Sequence, residues 1–403
     1  MRLLHVLPSL DPAAGGPVEG VRQCALALAT LGHHVEAATV DAPDAPFLAN
    51  APLPVAALGP GRGKYAYAPG VVAWLREHAS RFDAVIVHGL WQYPGLATHR
   101  ALRGLGVPYY VFVHGMLDPW FKRAYPLKHA KKWLYWPWAE YRVLRDARAV
   151  LFTTAQERAL ARQSFWLYRV RERVVSHGAA SPTGDERQLR AGFFSAYPAL
   201  AEQRLVLFLG RIHPKKGCDI LLRAFAHVAA AEPRLHLVFA GAGDADTISR
   251  LRALASELRI TERVTWTGLL QGDLKWGAFA ASDVFALPSH QENFGVAVAE
   301  ALASGTPVLI SDKINIWREI EADRAGFVAS DTIEGATANL RQWLALDAPS
   351  RAHMRARART TFIEHFTVDA HVRKLLQVLE HDSPCAQRTE RTSAPRMAAK
   401  PDL

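Results

Sequence analysis

Leu205-Val-Leu-Phe-Leu-Gly-Arg-Ile-His-Pro-Lys-Lys-Gly217 is an apolar, β-prone run that breaks at a glycine. Three cations (Arg211, Lys215, Lys216) are crowded into the short turn that follows, and Gly217 closes it. A strand ending at Gly210 and a helix starting near Gly217 form one strand–turn–helix unit. The unit repeats downstream: strands are expected at Leu235–Ala240, Val264–Thr267, Val284–Pro288, Val308–Ser311 and Gly326–Val328, with helical stretches between them. Upstream, Arg2–Leu7, His34–Thr39, Asp83–Val87, Tyr109–Val113 and Ala149–Thr153 read the same way. Val21, Cys24, Ala25, Leu28 and Leu31 share a helical face after Gly15-Gly16-Pro17, and Gly32 stops that helix. Strands that alternate with helices imply parallel, doubly wound sheets, so the fold class is α/β with two Rossmann-like domains.

The spacing predicts an N-terminal domain over residues 1–182 and a second over 203–365, joined by a polar connection across 180–202. A last helix near Val368–Leu379, within 366–381, is expected to return to the first domain. Residues 382–403, rich in Ser, Pro, Thr and Arg without apolar period, read as a disordered tail. A chain of 403 residues has room for two cores at about 150 residues per domain. Half the residues are hydrophobic and 21% are charged, which excludes collagen-like, coiled-coil and wholly disordered chains. Three cysteines are too few and too scattered for a disulfide framework or a zinc site, and favour a reducing compartment. The first residues are too broken by Pro8, Asp11 and Pro12 to form a signal peptide. No run approaches a membrane span. A cytoplasmic protein is expected, with any membrane contact peripheral.

The net charge of +10 is unevenly placed. Residues 1–180 hold 21 Lys and Arg against 12 Asp and Glu, a balance of +9, and the remainder holds 27 against 26. That asymmetry points to an anionic partner for the first half. Its densest part is Asp118–Arg145. Trp120, Phe121, Tyr125, Trp133, Tyr135, Trp136, Trp138 and Tyr141 alternate there with Lys122, Arg123, Lys128, Lys131, Lys132, Arg142 and Arg145. Such a composition suits an interfacial membrane element, a single-strand nucleic-acid groove, or a surface helix with rings in the core.

Ligands of doubly wound sheets bind at the carboxyl ends of strands. Arg211 and Lys216 stand at such an end beside a helix N-terminus, where they could clamp a phosphate. Glu292-Asn-Phe-Gly295 follows the strand Val284–Pro288, and Glu300 lies on the next helix. Eight residues of helix would separate the carboxylates by about 12 Å, with a helix N-terminus between them for a diphosphate. Gly241-Ala-Gly243 would allow a base or ribose close approach. Asp244 and Asp246 have a metal-like spacing, but aspartate is favoured at helix starts, so they read as capping residues. In the first domain, Gly15-Gly16 opens a helix after a strand, where the phosphate of a donor could bind. His88 and His114 each follow a strand and reach the same sheet edge.

These residues together resemble the nucleotide-sugar-binding half of family 4 glycosyltransferases, which have the GT-B fold. The resemblance runs through Phe208-Leu-Gly-Arg211, Lys216-Gly217, Phe239-Ala-Gly-Ala-Gly243, Val264-Thr-Trp-Thr-Gly268, Ser282-Asp-Val284, Leu287-Pro-Ser289, Glu292-Asn-Phe-Gly295, Glu300-Ala301 and Gly305-Thr-Pro-Val308. In the first domain, Gly-Gly-Pro, Leu31-Gly-His-His-Val35 and His114 match more loosely. Trp91-Gln-Tyr-Pro94 and His114-Gly-Met-Leu-Asp-Pro-Trp120 resemble the exopolysaccharide-assembly members.

The resemblance implies retaining transfer of a hexose from a nucleotide diphosphate sugar, with no cofactor and no metal. Arg211 and Lys216 would hold the diphosphate, and Phe294 and Gly295 would touch it through backbone N–H groups. Glu300 would bind the ribose, and Glu292 and His114 would contact the donor sugar. Lys313-Ile-Asn-Ile-Trp317 departs from the Gly-Gly pair of many members. The expected donor partner is a nucleotide sugar and the acceptor a lipid-linked saccharide in bacterial polysaccharide synthesis. The chain would sit peripherally on the anionic inner membrane, and Lys122, Arg123, Lys128, Lys131, Lys132, Trp133 and Trp136 would contact either the membrane or the acceptor, with no nucleic acid involved. The alternatives are a soluble transferase or other nucleotide-sugar enzyme of the same fold, and a non-catalytic binding module.

Overall fold

The computed structural model of the protein describes residues 1–12 and 16–381. Gly15 and the tail at 382–403 therefore lie outside the described residues. Two parallel sheets organise the rest. The first contains β1 (Arg2–Val6), β2 (His34–Thr39), β3 (Val55–Ala57), β4 (Ala84–His88), β5 (Tyr109–Phe112), β6 (Ala149–Phe152) and β7 (Glu172–Val174), in the order 3-2-1-4-5-6-7. The second contains β8 (Arg204–Leu209), β9 (Leu235–Ala240), β10 (Val264–Gly268), β11 (Val284–Leu287), β12 (Val308–Ser311) and β13 (Gly326–Ala329), in the order 10-9-8-11-12-13. Both orders reverse beside the sheet's own first strand, at β1/β4 and at β8/β11.

Continuous apolar runs make these strands because both faces are covered. In the first sheet Leu4, Val6, Val85, Val87 and Val111 enter one core, and Leu3, Ala84, Ile86, Tyr110 and Phe112 enter the core on the other face. The helix Val368–His381 supplies Val372, Leu375 and Leu379 to that second core, so the chain's last described helix packs on its first sheet. The helix Glu186–Ala196 packs the other way. Its Phe193 belongs to the core of the second sheet, and its Leu189 carbonyl lies 2.4 Å from where a Cβ on Gly277 would stand. The polar connection is thus structurally part of the second unit.

Strands β3 and β7 are not anticipated by the sequence reading. Each is three residues long and half-buried at a sheet edge, so neither carries an apolar run long enough to be read. The remaining strands fall within a residue or two of expectation.

Candidate active site

Because β8 and β11 are neighbours, the loops that follow them lie side by side. Gly217 makes the approach possible. It has φ 67°, and a Cβ there would stand 2.2 Å from the Pro288 carbonyl oxygen. The consequence is an ion pair that sequence separation hides: Lys216 Nζ lies 2.5 Å from Glu292 Oε1. Ser289 Oγ also donates to Glu292 Oε1, at 3.3 Å. The backbone of Glu292 is held by the segment that departs from the family pattern. Its N–H donates to Lys313 O at 3.0 Å, and its carbonyl accepts from Asn315 N–H at 3.1 Å. Lys313–Trp317 therefore fixes Glu292 from behind.

The next pair is Glu300 with Lys275, 2.8 Å apart. Glu300 is buried in the helix Val296–Ala303. Burial pushes its carboxyl above the usual range, and the Lys275 cation opposes that shift. Lys275 lies on a helix that sequence reasoning did not connect to the site. The helix containing Glu300 begins only at Val296, after Gly295 in a left-handed conformation with φ 79°. The path from Glu292 to Glu300 is thus half loop, and simple helical rise does not give their separation.

The first sheet meets this edge through the turn after β5. His114 has φ 47° and Gly115 φ 75°. A Cβ on Gly115 would stand 2.7 Å from Asn293 Cβ, so glycine lets the two units close. Glu157, buried, anchors the turn by accepting from Gly115 N–H at 2.5 Å and from Thr153 N–H at 2.6 Å. Asn293 Nδ2 donates to Thr153 Oγ1 at 3.0 Å, and Gln291 Nε2 donates to Asp118 Oδ2 at 3.0 Å. Glu157, Gln291 and Asn293 were not singled out as partners by the sequence. A buried glutamate in a helix start reads as capping, and cross-unit bonds leave no local pattern.

Between the units is a cavity of about 310 Å³, lined among others by Gly16, His114, Lys215, Lys216, Glu292, Phe294 and Gly295. Gly16 starts the helix Gly16–Thr30, and a Cβ on it would lie 3.4 Å from Val296 Cγ2. Two helix N-termini thus converge on the cavity, and both favour negative charge. Burial lowers the Lys215 ammonium pKa, with Glu292 opposing. Expected site residues are therefore gathered from both sheets.

Arg211, Gly243 and Glu300 do not line this cavity. Arg211 is exposed on the same loop as Lys216. Gly243 has a packing role: it bridges to Ile212, whose carbonyl oxygen would be 2.6 Å from an added Cβ. Asp244 caps its helix by accepting from Thr247 N–H at 2.8 Å, and Asp246 pairs with Arg250. Among the described residues, the one group with metal-ligand proximity is Asp323, Glu364 and His365, which is absent from the cavity lining.

The basic aromatic segment divides. Trp136 is fully buried, stacks on Phe165 at 4.2 Å and donates from Nε1 to Leu167 O. It belongs to the core and cannot be a surface contact, which corrects its expected role. Lys132 turns inward, with Nζ 4.4 Å from the centre of the Trp91 ring, and burial lowers its pKa to about 8. Lys122, Arg123, Lys128, Lys131 and Trp133 stay exposed. Beside them Leu127 and Leu134 are 81% and 78% exposed. No described helix is long and apolar enough to cross a membrane.

Known proteins share this two-sheet fold. Residues 193–361 match the family described as glycosyl transferases group 1, and residues 15–178 match the glycosyl transferase 4-like domain. A D-inositol 3-phosphate glycosyltransferase of Stackebrandtia nassauensis is 36% identical over 167 residues, covering 40% of this chain and 38% of that protein. That of Nocardia farcinica is 35% identical over 183 residues, covering 43% and 39%. The matched part thus spans about two-fifths of the length of these relatives. Among solved structures, HepE of Anabaena in complex with UDP and glucose superposes with a TM-score of 0.74 at 18% identity, over 94% of this chain and 99% of that one. WaaG, a glycosyltransferase involved in lipopolysaccharide biosynthesis, gives 0.64 at 18% identity over 94% and 99%. At such identity the likeness is one of fold. The two matches take in strands of both sheets and residues that line the cavity between them, so the chain joins a glycosyl transferase 4-like domain to a glycosyl transferases group 1 domain.

Proposed function

We propose that the protein is a retaining transferase that moves a hexose from a nucleoside diphosphate sugar to a lipid-linked saccharide in bacterial polysaccharide synthesis. The observation that carries this reading is the meeting of Lys216, Glu292 and His114 from two sheets around one cavity. Lys216 is neutralised by Glu292. A diphosphate would take over the cation, assisted by Arg211 and the helix N-termini, and leave Glu292 free for sugar hydroxyls. Glu300 lies on the helix Val296–Ala303 and pairs with Lys275 of the helix Gly272–Ala281, where the carboxylate would hold ribose hydroxyls.

In the reaction the bond from the sugar C1 to the phosphate oxygen breaks. A new bond forms from C1 to the acceptor hydroxyl oxygen on the same face, and the hydroxyl proton passes to the departing phosphate. The negative charge developing on phosphate is met by fixed cations and N–H groups. A metal is not required by this reading, since Asp244 and Asp246 are already committed to a cap and an ion pair. Support for a UDP-linked donor comes from HepE, described with UDP and glucose. The test is product analysis by mass spectrometry, with a panel of nucleotide sugars and lipid-linked acceptors in the presence of EDTA. A hexosylated acceptor is expected; loss of product restored by magnesium would overturn the metal-free reading.

The acceptor side is proposed to rest on an anionic bilayer. Leu127, Lys131, Leu134 and Trp138 follow helical spacing on the helix Pro126–Tyr135 and its continuation, and all four are exposed. A face on which Leu127, Leu134 and Trp138 surround Lys131, with Lys128 beside it, matches an interfacial helix. Replacing Leu127 and Leu134 by Ser should abolish flotation with anionic liposomes, because each buried leucine contributes about 1.5–3 kcal/mol. Wild-type protein that ignores such liposomes at low salt would favour a soluble transferase.

A further inference from the structure

The cavity's histidine does not stand alone. His5 on β1, His88 at the end of β4 and His114 after β5 come from three adjacent strands. His5 Nδ1 is 2.8 Å from His88 Nε2, and His88 Nδ1 is 3.0 Å from His114 Nε2. Neighbouring ring planes lie within 19° of parallel, with centroids 5.0 and 5.2 Å apart, a geometry compatible with hydrogen bonds in the plane of the rings. His5 and His88 are buried, and His114 is half-buried at the cavity.

Each of these contacts needs one N–H and one bare nitrogen. A neutral imidazole carries a single N–H, so one proton position fixes all the others. Burial keeps the rings neutral: it pushes His5 and His114 down to about 3 and holds His88 well below the usual range. Two arrangements remain. In one, every ring carries its hydrogen on Nδ1, and His5 Nε2 is bare. In the other, every hydrogen is on Nε2, and His5 Nε2–H is a buried donor. His5 Nε2 is buried and meets no hydrogen-bonding group of the protein. Orphaned buried N–H donors are rarer than under-used acceptors, which selects the first arrangement.

The two other imidazoles beside this file do not alter the choice. His177 Nδ1 lies 2.6 Å from Gly178 O, and His371 Nδ1 lies 2.5 Å from Ser176 O. A carbonyl only accepts, so both carry their hydrogen on Nδ1.

We propose that His88 and His5 are positioning residues that hold His114 in its Nδ1–H tautomer. With Nε2 engaged by His88, His114 has only Nδ1 left for any other partner, and it offers that partner a donor. On the reading above, the partner is a sugar oxygen of the donor substrate. The protein thereby spends two buried histidines to set one proton, and the aqueous preference of imidazole for Nε2–H is reversed.

Nitrogen-15 NMR of the full chain labelled at histidine tests this without any substrate. His114, assigned by the loss of its signals in His114→Gln, should show a protonated Nδ1 and a bare Nε2. His88→Phe should return His114 to the Nε2–H form. His88→Gln, whose amide can donate to His114 Nε2, should retain Nδ1–H. A wild-type His114 in the Nε2–H form would overturn the proposal, even if His88→Phe failed to fold. So would an unchanged tautomer in a folded His88→Phe. With UDP-glucose as probe, kcat for donor turnover should fall tenfold or more in His88→Phe with KM unchanged, and recover in His88→Gln. Correct tautomers with unaffected turnover would leave the histidine file standing and count against the sugar contact.

Discussion

The two sheets present their switch points to the same cavity with opposite chemistry. At β8/β11 the loops carry full charges stored in pairs, Lys216 with Glu292 and, between two neighbouring helices, Glu300 with Lys275. At β1/β4 the sheet carries neutral imidazoles, His5 and His88, linked to His114. The Lys216–Glu292 pair is partly open to water, where an ion pair is worth little and exchanges readily with an anionic ligand. Buried rings cannot be charged without large cost, so they act through the direction of hydrogen bonds alone. One edge is therefore suited to a diphosphate and the other to an uncharged sugar.

The largest expected effect breaks the comparison on its neutral side. Unfolded histidines take up protons near pH 6.5, while His5 and His114 stay neutral until about 3 and His371 until about 4. The unfolded state then binds more protons across that window, and stability falls as pH drops from about 6.5 towards 3. A fully buried ring such as His5 accounts for about 2 kcal/mol between pH 7 and 5. Glu140, raised to about 7 by burial, works in the opposite direction and offsets one such ring. Urea unfolding at pH 7 and pH 5 should show a loss of several kcal/mol; equal stability would mean that the histidines are charged or hydrated.

On the charged side, Glu292→Gln should lower turnover by about a hundredfold, comparable to loss of a group that acts in the transition state. Calorimetric affinity for UDP should not fall, because Lys216 loses its competitor. Weakened UDP binding would place Glu292 on the nucleotide instead. Lys216→Ala has the smallest expected effect. Removing one charge-assisted contact costs about 1.5–3 kcal/mol, so UDP affinity should drop roughly tenfold or more, and less at high salt. An unchanged affinity would remove Lys216 from the diphosphate and with it the contrast between the two edges.

Much of this was open to reading because parallel strands and their following turns are local. Apolar runs such as Leu235–Ala240 need only their own residues to be recognised, and Lys216, Glu292 and His114 were found by standing after such runs. Trp136 and Lys132 were misplaced for the complementary reason. Composition shows that rings and cations alternate over 118–145, but a helix buries one face and exposes the other. Only packing against Phe165 and Trp91 shows that Trp136 and Lys132 belong to the inner one.

The sequence by itself determined the two α/β sheets, the strand ends where ligands gather and the types of side chain delivered there. These follow from hydrophobic period and turn chemistry within a few residues of chain. The tertiary structure alone decided the partners. Lys216 meets Glu292 across 76 positions, His5 meets His88 across 83, and Asn293 meets Thr153 across 140. Contacts of that range depend on strand order and on the closure of one unit against the other, which no local pattern encodes.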